Sequence, residues 1–277
     1  MLVTIKYIRM QVSMDYKLIC GDSVEVMKSL DSESVDVCVT SPPYNLDISY
    51  SKYDDNKPYD TYIDWIEDVF VELKRILKPD GHLFLNMAGS STQPWIAMDA
   101  AQRLRQHYVL QNNICWVKSI EKDAEITGHN KPVPGKRFLP RTWENIFHFT
   151  KEGKSELDHE KSGVLYKEEW REINKKRTGR DWRQTVNTWF IPYETIGCYG
   201  GKNKDKIRGS HPAVFPKKLV DKCCKLMGAE GTLIDPFVGS GTSIIAGLEN
   251  GMNCIGIDID ENYLKFADER IKLEYNY

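Results

Sequence analysis

Thr40-Ser41-Pro42-Pro43-Tyr44-Asn45 follows directly on Ser34-Val35-Asp36-Val37-Cys38-Val39. The second run is short and rich in β-branched residues, which suits a buried strand that ends at the proline pair. Two adjacent prolines fix φ and lack amide donors, so the chain leaves the sheet there and stays extended. The result is a stiff ledge at the carboxyl end of a strand, with the Ser41 hydroxyl and the Tyr44 phenol as its polar groups. In an open α/β sheet ligands bind at that end of the strands. A plain strand-ending turn would use the same dipeptides, so the ledge gains meaning only from what surrounds it.

Upstream, Tyr16-Lys17-Leu18-Ile19-Cys20 reads as a strand closed by Gly21-Asp22-Ser23, with Ser23 as cap of a helix from Val24 to Leu30. Strand, helix, strand is the unit of a parallel sheet. Downstream, Leu46 to Thr61 is polar and rich in Tyr and Asp, and reads as a long loop of the kind that closes over a substrate. Ile63, Ile66, Val69, Phe70, Leu73, Ile76 and Leu77 then recur at helical spacing from Tyr62 to Leu77. Strands are expected at His82–Met87, Leu110–Val117 and Glu144–Phe149, with a helix around Pro94–His107.

Composition narrows the class. The 277 residues are 41% hydrophobic and 28% charged, as in ordinary globular chains. No run of about 18 apolar residues is present, which excludes a helical membrane span. The start, Met1 to Met14, mixes Lys6, Arg9 and Gln11 into its apolar residues and reads as an ordinary N-terminus, not a signal peptide. The cysteines (20, 38, 115, 198, 223, 224 and 254) have no metal-ligand spacing. They fit a reducing cytoplasm, without disulfide scaffold or metal site.

The net charge of −2 conceals an asymmetry. Residues 117–218 hold 22 of the 38 basic and 14 of the 40 acidic residues, leaving 16 and 26 elsewhere. A basic middle in an acidic body suits contact with a polyanion, although a solvated charged surface gives the same counts. Within it Lys175, Lys176, Arg177, Arg180 and Arg183 stand among Trp170, Trp182 and Trp189, a mixture suited to phosphate contacts and base stacking.

The last third carries a second marked stretch, Asp235-Pro236-Phe237-Val238-Gly239-Ser240-Gly241-Thr242, where an apolar strand meets a glycine turn and a helix from Ser243. Such glycines let a ligand approach the backbone at a helix N-terminus. A third fingerprint glycine and a P-loop lysine are both missing, which disfavours a dinucleotide or nucleoside triphosphate. Asp258 ends the next strand about twenty residues beyond Gly239, where a carboxylate accepts ribose hydroxyls. Asp260 competes for that role, and the plain alternative for Asp258 is a carboxylate that caps the following helix. A small adenosine-bearing ligand fits both features.

These residues resemble the DNA amino-methyltransferases. Asp235 to Thr242 is similar to their S-adenosylmethionine loop, Thr40 to Tyr44 to their catalytic motif, and His211-Pro212-Ala213-Val214-Phe215-Pro216 to their HPxxKP-like cofactor segment, with Phe215 where Lys is frequent. Catalytic motif first, basic segment next and cofactor loop last is the order of the β-class. The likeness covers most of the chain outside roughly Lys151 to Arg208.

It implies an α/β, Rossmann-like, mostly parallel sheet with helices on both faces (the permuted methyltransferase fold) plus a less regular target-recognition insertion. The implied division is 1–150 for the catalytic half, 151–208 for target recognition (starting as early as 118) and 209–277 for the cofactor half. The implied cofactor is S-adenosylmethionine, held by Asp22, His211, Pro212, Phe215, Asp235, Phe237, Gly239, Ser240, Gly241, Thr242 and Asp258. Ser41 and the Pro42 carbonyl would accept the two hydrogens of an exocyclic amine, with Pro43 stiffening the ledge and Tyr44 stacking on a flipped base. Asn45 is a further candidate contact to nucleic acid. In the family Ser at the first motif position often accompanies cytosine N4 and Asp adenine N6, so Ser41 points to cytosine, with adenine as the alternative. Carbon-5 chemistry needs a thiolate, and no cysteine follows a proline here. Double-stranded DNA is the implied partner, together with a restriction endonuclease acting on the same site, and family members often pair as homodimers. An RNA methyltransferase and an inactive nucleic-acid-binding module are the rival readings.

Overall fold

The computed structural model describes residues 15–122, 125–128, 136–192 and 215–275. Thirteen strands and helices set the scaffold of interest here: β1 (Tyr16–Cys20), α1 (Ser23–Lys28), β2 (Val35–Thr40), α2 (Tyr59–Ile76), β3 (Leu77–Met87), α3 (Ile96–Leu104), β4 (Val109–Val117), β7 (Trp143–Thr150), α5 (Lys217–Leu226), β11 (Thr232–Asp235), α6 (Thr242–Glu249), β12 (Asn253–Asp258) and α7 (Glu261–Tyr275). Between them lie the hairpin β5 (Ser119–Lys122) and β6 (Glu125–Gly128), and the insertion with β8 (Val164–Leu165), α4 (Glu168–Thr178), β9 (Trp182–Arg183) and β10 (Thr188–Phe190).

Eight of the described strands form one sheet in the order β1-β12-β11-β2-β3-β7-β4-β10. β7 runs antiparallel to β3 and β4, and every other pair is parallel. This is the mostly parallel α/β sheet expected from the sequence. Strand alternation divides the core between its faces. Leu83, Leu85 and Met87 of β3 and Phe147 and Phe149 of β7 pack with α1, α2 and α3. Phe84, Ile146, Val37 and Val39 turn the other way, against α5, α6 and α7. Helices thus cover both faces, the condition that allows near-continuous apolar strands.

Boundaries differ from expectation where local chemistry had more than one solution. Ser23 is the first residue of α1 rather than its cap, because Asp22 Oδ1 accepts from the amides of Val24 (2.9 Å) and Glu25 (3.2 Å). α2 starts three residues earlier than its periodicity suggested, at Tyr59 behind Pro58. β3 begins at Leu77, since Pro79 bars helix continuation and Leu77 pairs with Val35 across an irregularity in the β2–β3 ladder. The insertion also returns to the main sheet: β10 pairs with β4, and Trp189 is buried in the second core.

One polar pair lies inside this core. His82 of β3 and His148 of β7 are buried, with His82 Nδ1 3.0 Å from His148 Nε2. Asn112 Nδ2 sits 3.0 Å from His148 Nδ1. As assigned, that amide donates, so His148 carries its proton on Nε2 and donates to His82. Burial pushes His82 down to about 4 and His148 to about 3, the proximity of the two rings adding to the shift at His148.

Candidate active site

β2 and β11 are neighbours, with Val37 opposite Leu233 and Cys38 opposite Ile234. Their carboxyl ends therefore place the Ser41–Tyr44 ledge beside the glycine turn. A buried hydrogen bond ties the two: Thr40 Oγ1 donates to Asp235 Oδ1 at 2.7 Å. The same carboxylate accepts from the Phe237 amide (3.0 Å) and the Ser243 hydroxyl (2.6 Å). Burial raises the Asp235 carboxyl to about 6 against the pull of those three donors. Asp235, expected to face a cofactor, thus joins the strand ends and shapes the turn.

The turn itself depends on backbone freedom. Gly239 and Gly241 have φ of +49° and +80°, a region that L side chains rarely adopt. A Cβ at Gly241 would lie 3.0 Å from that of Ala267 in α7. Ser240 and Thr242 are buried against Arg270, whose Nη1 donates to the Ser240 carbonyl at 3.1 Å and to Thr242 Oγ1 at 2.8 Å. They brace the loop from behind.

The groups facing outward come from three strand ends. Asp258 Oδ2 accepts from the Gly239 amide at 3.0 Å and its Oδ1 from the Asp260 amide at 2.8 Å. Burial raises its carboxyl despite these donors. Asp260 is buried, accepts from the Asn262 amide and bonds the Ser51 hydroxyl, so the rival acid is occupied by structure. Asp22 follows β1, whose last residue Cys20 pairs with Asp258, which sets both acids at adjacent strand ends. Phe237 is half-buried with its ring 5.5 Å from that of Trp65 in α2, and the Tyr53 ring lies 5.2 Å from Trp65. Phe215 packs instead on the second core. His211 and Pro212 lie outside the described residues.

The ledge has its own network. Ser41 Oγ is 2.8 Å from Tyr44 Oη, which is 3.0 Å from the Asn86 carbonyl and 3.2 Å from Glu144 Oε2. Asn86 Nδ2 reaches Tyr44 Oη at 2.7 Å and Glu144 Oε2 at 2.9 Å, while Lys118 Nζ donates to Glu144 Oε1 at 2.6 Å. Burial alone would raise the Glu144 carboxyl. Lys118 and Arg141, with the hydrogen bonds from Lys118 and Asn86, outweigh it and hold the group below its ordinary value. Burial and the Glu144 charge push the Tyr44 phenol well up. Pro42 is buried and Pro43 partly so, the latter giving its carbonyl to the Tyr62 hydroxyl at 2.7 Å.

Asn45 differs from its expected place at the nucleic acid. It is buried at φ +57°, its side-chain amide bonded on both sides to the Lys57 backbone. Asp55, also buried, accepts from the amides of Asn45, Leu46 and Ile48, so the loop after the ledge is closed by its own side chains. Lys175, Lys176, Arg177, Arg180 and Arg183 are all exposed, on the last turn of α4 and the segment after it, and Arg180 lies over the Trp182 ring at 4.6 Å. Residues with a part in the site that the sequence did not single out are Trp65, Asn86, Lys118, Glu144 and Arg270.

A family model described as DNA methylase, covering the N6 and N4 enzymes, matches residues 35–269. The chain belongs to this DNA methylase family. Among curated relatives, the Type II methyltransferase M.HpaI of Haemophilus parainfluenzae is 29% identical over 95% of this chain and 76% of its own length. The DNA adenine methyltransferase YhdJ of Escherichia coli is 23% identical over 94% and 84%. Of solved structures, the cytosine-N4-specific PvuII DNA methyltransferase has a TM-score of 0.68 at 18% identity, covering 95% of this chain and 92% of its own. An M1.HpyAVI complex with S-adenosylmethionine has a TM-score of 0.56 at 20% identity, covering 92% and 99%. Both share the fold. As an amino-methyltransferase of the N6/N4 class, this DNA methylase carries its Thr40–Tyr44 and Asp235–Thr242 stretches at the ends of the paired strands β2 and β11.

Proposed function

We propose that the protein transfers a methyl group from S-adenosylmethionine to the exocyclic N4 amine of a cytosine flipped from duplex DNA. The observation that carries this reading is the Thr40–Asp235 hydrogen bond, which fastens the amine-accepting ledge to the glycine turn.

The residues around that turn suit the cofactor. Gly239 leaves the backbone open, the Asp22 and Asp258 carboxylates suit hydroxyl and amine donors, and Phe237 offers an apolar ring to an adenine. When bound, S-adenosylmethionine supplies an electrophilic methyl; the amine nitrogen gains it, the sulfonium becomes a neutral thioether and one amine proton passes to water. The chain supplies position and field. Ser41 Oγ and the Pro42 carbonyl accept the two amine hydrogens and direct the nitrogen lone pair. Tyr44, partly exposed beside them, gives the flipped base a ring to stack on.

Serine as the first ledge acceptor supports cytosine, and adenine N6 is the other product of this class. The exposed cations of α4 and β9 serve as phosphate contacts. A homodimer and a restriction endonuclease acting on the same site accompany this reading, as does a cytoplasmic location; no described helix is long and apolar enough to cross a membrane. Incubation with methyl-labelled S-adenosylmethionine tests the function: label retained on unmodified genomic duplex DNA is expected. Label on RNA alone, or on no nucleic acid, would refute it.

A further inference from the structure

We infer that Glu144 is a positioning residue for methyl transfer, acting through Asn86 and Tyr44 to make Ser41 present lone pairs to the substrate amine. The inference rests on the amino-methyltransferase reading above and concerns residues outside both motifs.

Counting hydrogens and lone pairs fixes the direction of each bond in the network. Glu144, paired with Lys118, is an anion with acceptor oxygens only. Asn86 Nδ2 has two hydrogens, and its two close acceptors are Glu144 Oε2 (2.9 Å) and Tyr44 Oη (2.7 Å). Its 3.4 Å approach to Ser41 is left without a hydrogen. Tyr44 Oη has one hydrogen, and it faces two pure acceptors, the Asn86 carbonyl at 3.0 Å and Glu144 Oε2 at 3.2 Å. If that hydrogen turned to Ser41 instead, lone pairs would meet lone pairs at both contacts. Tyr44 therefore donates inward and accepts from Asn86. Its one remaining lone pair receives the Ser41 hydroxyl at 2.8 Å.

Ser41, with its own hydrogen engaged, has two lone pairs and no hydrogen to offer, which is the state an amine donor needs. A serine free to rotate would donate as readily as accept and would not orient the amine. The buried Glu144 charge also lies three hydrogen bonds, through Tyr44 and Ser41, from a nitrogen that becomes positive as the methyl arrives. In a water-poor site that favours the transition state.

Glu144→Gln reverses the logic. Lys118 would keep the amide oxygen, so the amide nitrogen would face Asn86 Nδ2 and Tyr44 Oη. Two N–H donors would then fill both Tyr44 lone pairs, and Ser41 would lose its acceptor. The test is single-turnover methylation of duplex DNA at saturating S-adenosylmethionine, with binding constants for both ligands measured separately. Glu144→Gln should slow transfer on the order of 10²-fold, the scale of removing one preorganised electrostatic interaction, with both binding constants within about twofold of wild type. Tyr44→Phe keeps the stacking ring and should lose a similar factor. The double variant should be no slower than the slower single one, because both act through one chain. Wild-type speed in Glu144→Gln, or losses that multiply in the double variant, would overturn the inference. If Glu144→Gln no longer binds S-adenosylmethionine, Tyr44→Phe, which leaves the Lys118–Glu144 pair in place, carries the test. It should bind the cofactor yet show the same slow transfer, and wild-type speed there would also overturn the inference. Failure of the wild-type protein to methylate any DNA would instead refute the functional reading itself.

Discussion

Acidification should weaken this protein through the His82–His148 pair, by an amount the structure allows to be worked out. Both histidines titrate lower when folded, at about 4 and about 3, than the ordinary 6.5. The native state therefore excludes protons that the unfolded chain takes up, and stability falls as pH drops below about 6.5. At pH 5 each unfolded histidine lies about 1.5 units below its pKa, worth roughly 2 kcal/mol, so the pair costs roughly 4 kcal/mol relative to pH 7.5. Asp235 works in the opposite sense. Its carboxyl is raised to about 6 from 3.8, so the folded state binds the extra proton and gains on acidification. That gain is roughly 1.4 kcal/mol at pH 5. The histidines win, and a net loss of roughly 2 to 3 kcal/mol is expected from these three groups, a large share of a typical total stability. His82→Gln isolates the effect, because its amide oxygen can still accept from His148 Nε2. Urea unfolding at pH 7.5 and pH 5 should show the variant losing roughly 2 kcal/mol less than wild type. Equal losses in the two proteins would refute the buried-neutral assignment of His82.

Two further outcomes follow from the same structure. Thr40→Val keeps the side-chain shape but removes a donor to the buried Asp235 carboxylate, and should cost about 1.5 to 3 kcal/mol by urea unfolding at pH 7.5; a change under about 0.5 kcal/mol would show that the bond does not hold the strand ends together. Replacing Lys175, Lys176 and Arg177 together with Ala should weaken duplex binding and flatten its log–log salt dependence by about one for each phosphate these side chains neutralise, with S-adenosylmethionine affinity unchanged; an unchanged slope would remove α4 from the DNA-binding surface.

The sheet was legible because its strands announce themselves locally. Val35–Thr40 and Asn253–Asp258 are apolar, β-branched runs bounded by turn residues, and both appear with their expected ends. The order of the ledge and the glycine turn was equally legible, since each is a contiguous motif. What joins them was not. Thr40 and Asp235 are 195 residues apart, and Tyr44 and Glu144 are 100 apart. Nothing in a single sequence marks such partners. Glu144 did leave one sign, as an acid at the head of the apolar strand Trp143–Thr150, where a buried charge needs a partner. Asn45 misled for the opposite reason: a polar residue next to a catalytic motif looks like a ligand contact, yet its neighbour in space is the Lys57 backbone. β10, three residues long, is too short for periodicity to reveal and exists because β4 offers it an edge.

Ser41 accepting the amine of a flipped cytosine, beside a cofactor held at the Gly239 turn, is the central claim. Mass spectrometry of nucleosides digested from duplex DNA after incubation with S-adenosylmethionine tests that most directly, with wild type and Ser41→Ala compared. N4-methylcytosine from wild type, reduced at least about 10²-fold by Ser41→Ala with cofactor binding retained, is the predicted result. N6-methyladenine would keep the mechanism but refute the cytosine assignment, whereas 5-methylcytosine, or full activity in Ser41→Ala, would contradict the claim.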